Sequence, residues 1–335
     1  MDIRQKMTLW LQAITAGLVW LLAATGNVWA LAALYFDMKP GWLACVFILL
    51  CLTALGALLW KVRGLFLKPV SCLLPFVLVM VWWASLKPSQ HRDWSPEYAR
   101  LSWAEINGDA ITLHDFRNVQ YRSARDFTPR WETRNVRLSR LQGVDLFLSY
   151  WGSRHIAHPV VSFDFGEDER VCFSVETRRE KPETFSAIRG FFRQFELYYV
   201  MGDERDLVGG RVVHRLHEQA YRFPLQIPPE ALRLIFLDYL RGMNDLRDKP
   251  QWYNAATMNC TTAIRVHARA GELLHAWDWR ILLNGHFDER LYEYQVISNE
   301  LPFAEMKKQA KLPDSVRSLS SDDPDFSRLI RQRNP

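Results

Sequence analysis

The pattern of apolar positions divides the chain near residue 86. Before that point Leu9–Phe36, Trp42–Trp60 and Pro69–Leu86 are long apolar runs, and Asp2 and Asp37 are the only carboxylates. Each run approaches or exceeds the roughly 20 residues a helix needs to cross about 30 Å of hydrocarbon. Further runs follow the first one, with no small-residue cleavage site leading into a soluble domain, so it reads as a span and not as a signal peptide. Trp10, Trp60, Trp82 and Trp83 stand near run ends, where interfacial aromatics collect. Three transmembrane helices are predicted over residues 1–86.

Beyond residue 86 the periods shorten. Residues 87–104 are polar and Pro-containing and read as a linker. A turn and strand are expected at Gly108–Leu113, strand-like alternation at Asp115–Arg122 and a strand at Val144–Tyr150. Val161, Phe163, Phe165, Val171, Phe173 and Val175 are all odd-numbered and apolar, with Gly166-Glu167-Asp168-Glu169 between them. That is a hairpin with one core face, and the core face requires odd residues to oppose odd residues. Ser186–Val200 is expected as a helix and Tyr221–Leu225 as an edge strand. Pro228-Pro229 opens a helix that buries Leu232, Ile235, Phe236 and Leu240. Gly202–Asp206 reads as a polar turn, either solvated or knotted by ion pairs. Residues 301–335 are charged and Ser/Asp/Pro-bearing, and a mobile tail is expected there.

The stretch Trp252–Thr262 runs into Ala263–Gly271, an Ala- and Arg-rich segment without internal Pro that stops at Gly271. Asn259 is a good N-cap, which places Cys260 in the first helical turn. Unpaired N–H groups and the helix dipole favour an anion there, so a thiolate nucleophile is expected. The hairpin supplies a base. His158, Ser162, Cys172, Ser174 and Glu176 share its even face, with His158 across from Glu176 or one pair away. A carboxylate beside an imidazole sets its tautomer and supports a transient imidazolium. The candidate catalytic residues are therefore Cys260, His158 and Glu176, with Asn259 and Ser162 as weaker candidates for holding an oxyanion. A structural Cys172–Cys260 disulfide is the rival reading. It conflicts with catalysis, because Cys172 opposes position 162 or 164, about 13 Å along the strand from His158.

Charge adds an orientation. Arg4 and Lys6 precede the first span, and Lys61, Arg63 and Lys68 separate the second and third, whereas Asp37-Met38-Lys39-Pro40 carries one cation. The positive-inside rule puts the N-terminus in the cytoplasm and everything after Leu86 outside. The net charge of +5 is an arginine effect, 32 Arg against 10 Lys. Beside a membrane such a surface suits anionic head groups. No basic run with interleaved aromatics points to nucleic acid. There is no Gly-rich phosphate loop and no zinc-ligand spacing, so no cofactor and no metal are expected. The oligomeric state is open.

The order His158-Pro-Val-Val-Ser-Phe-Asp-Phe, Ser174-Val-Glu-Thr-Arg-Arg-Glu180, Gly202–Asp206 and Tyr253-Asn254…Asn259-Cys-Thr-Thr262 resembles the Lnb N-terminal periplasmic domain family over roughly residues 105–300. It is also similar to the circularly permuted NlpC-type branch of papain-like enzymes. The resemblance implies a periplasmic papain-like domain with an antiparallel sheet packed on helices (105–300), which with the three N-terminal transmembrane helices (1–86), the linker (87–104) and the tail (301–335) makes an α+β chain. It matches Cys260 to the nucleophile and His158 to the base, and Glu176 less securely to the third member. A membrane-anchored thiol acyltransferase or hydrolase is expected at the periplasmic face of the bacterial inner membrane, with membrane lipids or lipoproteins as candidate substrates. A peptidoglycan amidase or endopeptidase, and a non-catalytic envelope scaffold with the Cys172–Cys260 bridge, are the alternatives.

Overall fold

In hydrocarbon every backbone N–H and C=O must be paired within its own segment, which leaves the three apolar runs one local solution. They form α1 (Ile3–Asp37), α2 (Gly41–Lys61) and a third span, Leu67–Ser85, built from α3 (Leu67–Ser71) and α4 (Leu74–Ser85). All three are long and apolar enough to cross a membrane. Small residues let them meet. Ala30, Ala33 and Ala44 are buried, and a Cβ on Gly26 would lie 2.9 Å from the Phe76 ring. Asn27 Nδ2 donates to Cys72 O at 2.8 Å, at the break between α3 and α4. Leu11, Leu18, Leu49 and Val81 point outward and stay exposed, as a lipid-facing surface requires. The computed structural model describes residues 2–167, 169–181, 183–215, 217–273, 276–320 and 323–332. They form two units, residues 1–88 with 188–194, and residues 89–187 with 195–335.

The second unit is built on an eight-stranded sheet. Its strands are β1 (Trp103–Asn107), β2 (Ala110–Arg117), β5 (Trp131–Arg137), β6 (Gly143–Tyr150), β7 (Ala157–Asp164), β8 (Arg170–Arg178), β9 (Glu196–Gly202) and β10 (Gln219–Pro224). The short β3 (Gln120–Tyr121) and β4 (Phe127–Thr128) pair separately. The order is β1-β2-β9-β8-β7-β6-β10, with β5 also on β2. The sheet is mixed and not antiparallel throughout as expected, since β2 and β9 meet in parallel at Arg117 and Gly202. Glycine is required at that join. A Cβ on Gly202 would lie 2.8 Å from Arg117 O and 2.5 Å from the Leu207 side chain.

The β7–β8 register puts Val161 opposite Phe173 and Ser162 opposite Cys172, odd against odd as the apolar pattern predicts. The odd face of β7 and β8 packs on α6 (Pro229–Asp248) and α7 (Cys260–Ala268), with α8 (Phe287–Glu293) closing one side. Its interior holds Phe163, Phe173, Phe236 and Tyr239, ring against ring. The even face is largely covered, with His158 and Glu176 partly exposed at its end. A second layer covers it: a π-helical turn at Arg205–Gly209, α5 (Gly210–Val212), Tyr98 and the C-terminal segment from Leu312 onward, while α9 (Phe303–Ala310) ahead of it packs with the odd-face core through Met306 and α10 (Phe326–Leu329) lies within the layer.

Three expectations change accordingly, and a fourth is narrowed to one of its two readings. Residues 87–104 are no free linker, since Trp94 and Tyr98 are buried and Trp94 bridges to Glu180. The segment 301–335 is no mobile tail over its described residues. Leu312 N bonds Ala220 O, Phe326 and Ile330 are fully buried, and Arg331 pairs with Glu204 and Asp145. Residues 186–200 are not helical but a short 3₁₀ turn, Arg189–Phe191, followed by β9. Of the two readings of the Gly202–Asp206 turn, the ion-pair knot is the one found, and it is buried. Arg117 grips Asp206 through two bonds of 2.7 and 3.0 Å, inside the second layer.

Because Phe326 anchors that second layer, Phe326→Ala is expected to cost about 3–5 kcal/mol of stability. Denaturant unfolding of the full chain in detergent checks this, and an unchanged midpoint would mean that the segment is not part of the folded core.

Candidate active site

The loop before α7 is stiffened by two asparagines. Asn254 Oδ1 accepts from Ala256 N and Thr257 N, and Asn254 and Met258 pair across the turn. Asn259 then caps α7. Its Oδ1 accepts from Thr261 N and Thr262 N, and Thr262 Oγ1 bonds back to Asn259 N, a complete capping box. One hydrogen of its Nδ2 goes to Ala255 O. Cys260 follows at the first helical position, buried and free. Burial pushes its thiol up, against the pull of the neighbouring Thr261 hydroxyl and N–H groups and of Arg211. The activated thiolate expected from the helix start is thus not the resting form. Cys260 rests as a thiol.

The side chain that touches Cys260 is one the sequence pattern did not reveal. Asn284 Nδ2 lies 3.5 Å from Cys260 Sγ and donates to Thr261 Oγ1 at 3.0 Å, while its Oδ1 accepts from Ala157 N at 2.9 Å. One amide thus ties the thiol to the residue before His158. Asn284 carries no local signal beyond its Asn-Gly turn.

His158 begins the even-face row. Its Nε2 is 2.6 Å from Ser174 Oγ, and Ser174 Oγ donates to Glu176 Oε1 at 2.9 Å. Arg211 Nη2 meets the same carboxylate oxygen at 2.9 Å, and the Tyr98 hydroxyl approaches the other at 3.4 Å. Burial opposes charge on Glu176. Arg211 in contact, with His158, Arg117 and Arg215 around it, outweighs burial and holds the carboxyl well below the usual range. An ionised Glu176 can only accept, so Ser174 must donate to it and must accept from His158 Nε2–H. This leaves Nδ1 as the bare, basic nitrogen. Burial and the Arg211 charge push His158 down to about 3, so the ring is neutral at physiological pH.

His158, Ser174 and Glu176 therefore come together as the register predicts. Ser162 does not join them. It is fully buried four positions along, donating to Glu204 Oε1 at 2.5 Å. Cys260 belongs to the odd-face core and the His158 row to the even face, and among the described residues no hydrogen bond links thiol and imidazole. They share one end of the sheet. The β7–β8 ladder begins only at Val161, beyond Pro159, which has no N–H to pair. α7 lies against both strands there, and Arg211 acts on both Cys260 and His158. Cys172 lies in the even-face core with the sheet between it and Cys260, and both are free, so the expected rival bridge is not formed.

Residues 127–285 match the family model of the Lnb N-terminal periplasmic domain. No curated protein and no solved structure matches the chain. The Lnb N-terminal periplasmic domain match takes in His158, Ser174, Glu176, Arg211, Asn259, Cys260 and Asn284 and leaves out Tyr98. It starts later and ends earlier than the span 105–300 read from the sequence. With three membrane-capable helices ahead of it, the chain is a membrane protein with a periplasmic domain.

A buried, protonated thiol alkylates slowly. At pH 7 Cys260 is expected to react with iodoacetamide more slowly than glutathione does. Peptide mass mapping of the alkylated protein measures this, and rapid labelling at neutral pH would show that the thiol is ionised at rest.

Proposed function

We propose that the domain is a thiol acyl-transfer enzyme of papain-like arrangement, an acyltransferase or hydrolase, working at the periplasmic face of the inner membrane. The observation that carries the reading is the Glu176–Ser174–His158 row, which leaves a neutral imidazole with a bare Nδ1 at the sheet end where Cys260 starts its helix. In the first step His158 Nδ1 takes the Cys260 thiol proton while sulfur attacks an ester or amide carbonyl. The C–O or C–N bond then breaks, and His158 returns the proton to the leaving oxygen or nitrogen, which yields an acyl-thioester. An amine or water completes transfer by the reverse steps. The Cys260 N–H and Asn284 Nδ2 would stabilise the oxyanion, a role expected earlier of Asn259 and Ser162, since the Thr261 and Thr262 N–H groups are taken by the Asn259 cap. Acyl chains of lipoproteins or phospholipids suit a domain carried on three apolar spans.

The full chain in nanodiscs, given a p-nitrophenyl acyl ester, is expected to gain one acyl mass on Cys260, and Cys260→Ala to gain none. His158→Ala should lose roughly 10²–10⁴-fold in rate, and Asn284→Ala about 10²–10³-fold. Equal acylation of Cys260→Ala would overturn the reading.

The pH profile gives an independent check. Because His158 is held at about 3, its base form persists far below the ordinary imidazole range. The rate of acylation should therefore stay level from pH 7 down to about pH 4, without the fall near 6.5 that a free imidazole gives. Arg211→Met removes one of the three causes of the depression, burial, Arg211 and Arg215, so its acidic limb is expected at higher pH than that of the wild type.

A further inference from the structure

The turn 188–194 lies between Ala187 and Phe195 of the sheet unit in sequence, yet it packs with the membrane helices. Its anchoring is specific. Asp37, the last residue of α1, accepts Trp83 Nε1 at 2.7 Å and Arg193 N at 3.2 Å on one oxygen, and Gln194 Nε2 at 2.8 Å on the other. Arg193 Nη1 donates to Ala84 O and Leu86 O, and its guanidinium stands 4.0 Å over the Trp83 ring. Those carbonyls end the third span and have no later helical turn to bond, so Arg193 supplies a donor where lipid gives none. Phe192 is buried against Phe36, ring centroids 4.8 Å apart.

One side of the turn is used for anchoring, and the other keeps two large apolar side chains exposed beside Arg189. Ile188 is 64% exposed and Phe191 50% exposed. Tyr35 near the end of α1 and Trp42 at the start of α2 are 70% and 67% exposed at the same end of the bundle. Exposed aromatics at the end of a bundle of spans are the composition of a membrane interface. We infer that Ile188 and Phe191 lie in the head-group layer of the outer leaflet as a lipid-contacting turn, continuous with the aromatic belt of Tyr35 and Trp42. The occupant is a lipid surface, because the turn is bolted to helix ends that themselves stand at the boundary of the hydrocarbon. Such a turn gives the segment leading into β9 a membrane contact of its own, beyond the three spans.

The test places the photo-crosslinker p-benzoylphenylalanine at position 188 or 191 of the full chain, in nanodiscs of phosphatidylcholine. Both side chains are exposed, so the replacement should leave packing intact, and a wild-type melting profile verifies that. The expected result is an adduct carrying the mass of one phosphatidylcholine on the peptide with residue 188 or 191. An adduct to a second copy of the chain at both positions would overturn the proposal by making the turn a protein contact. Absence of any lipid adduct at both positions would overturn it as well.

Discussion

A carboxylate buried in a protein stays charged only if cations and donors surround it, and the charge on Glu176 is the constraint on which the candidate site depends. Arg211, Ser174 and Tyr98 meet its two oxygens. Ser174 faces an acceptor that cannot donate, so its own proton is committed, and the commitment passes to His158 as a defined tautomer. The same cluster keeps the ring neutral, since a second positive charge beside Arg211 inside the fold is unfavourable. The pair at rest is thus a thiol and an imidazole, and in the proposed reaction charge would develop only as sulfur attacks. This fits a site shielded from water, where separated charges are costly until a substrate supplies the oxyanion.

The cluster can exist because the sheet is covered on both sides. Were the even face open to solvent, as its serines imply, Glu176 would need no Arg211 and His158 would titrate as an ordinary imidazole. The cover consists of the Arg205–Gly209 turn with α5 and the C-terminal segment, joined by buried ion pairs at Asp206, Glu204 and Asp145. Replacing one partner of such a pair leaves the other charged and buried, so these residues act as a group in which each depends on its neighbours. Arg117 shows the dependence most plainly. It occupies the parallel join of β2 and β9 and holds the turn that leads to Arg211.

The membrane unit obeys a different solvent. In lipid the apolar residues do not drive packing, so small residues and a few polar bonds set the contacts. Gly26 against Phe76, Asn27 on Cys72 O and Asp37 with Trp83 are those contacts. Asp37, one of two carboxylates before residue 87, collects donors from Trp83, Arg193 and Gln194. Such an acid next to a span is retained when it has partners of this kind.

The sequence by itself determined what depends on local physics. Uninterrupted apolar runs specify spans. Parity along 161–175 specifies the hairpin register and with it the His158–Ser174–Glu176 row, because a one-residue slip would turn every apolar side chain outward. Asn259 marks the start of α7, since its amide satisfies N–H groups that no other residue can reach. Tertiary structure decided the rest. Residues 196–202 are all buried, and an apolar run covered on both faces has no period by which to tell strand from helix. Residues 301–332 look like a solvated tail because Leu312, Val316, Phe326 and Ile330 are widely spaced among polar residues, and they matter only once a sheet face collects them. Arg211 and Asn284 reach the site from 35 residues beyond Glu176 and 24 beyond Cys260. No pattern within either segment records that meeting, so the state of the thiol and of the imidazole, which follows from it, belongs to the folded protein alone.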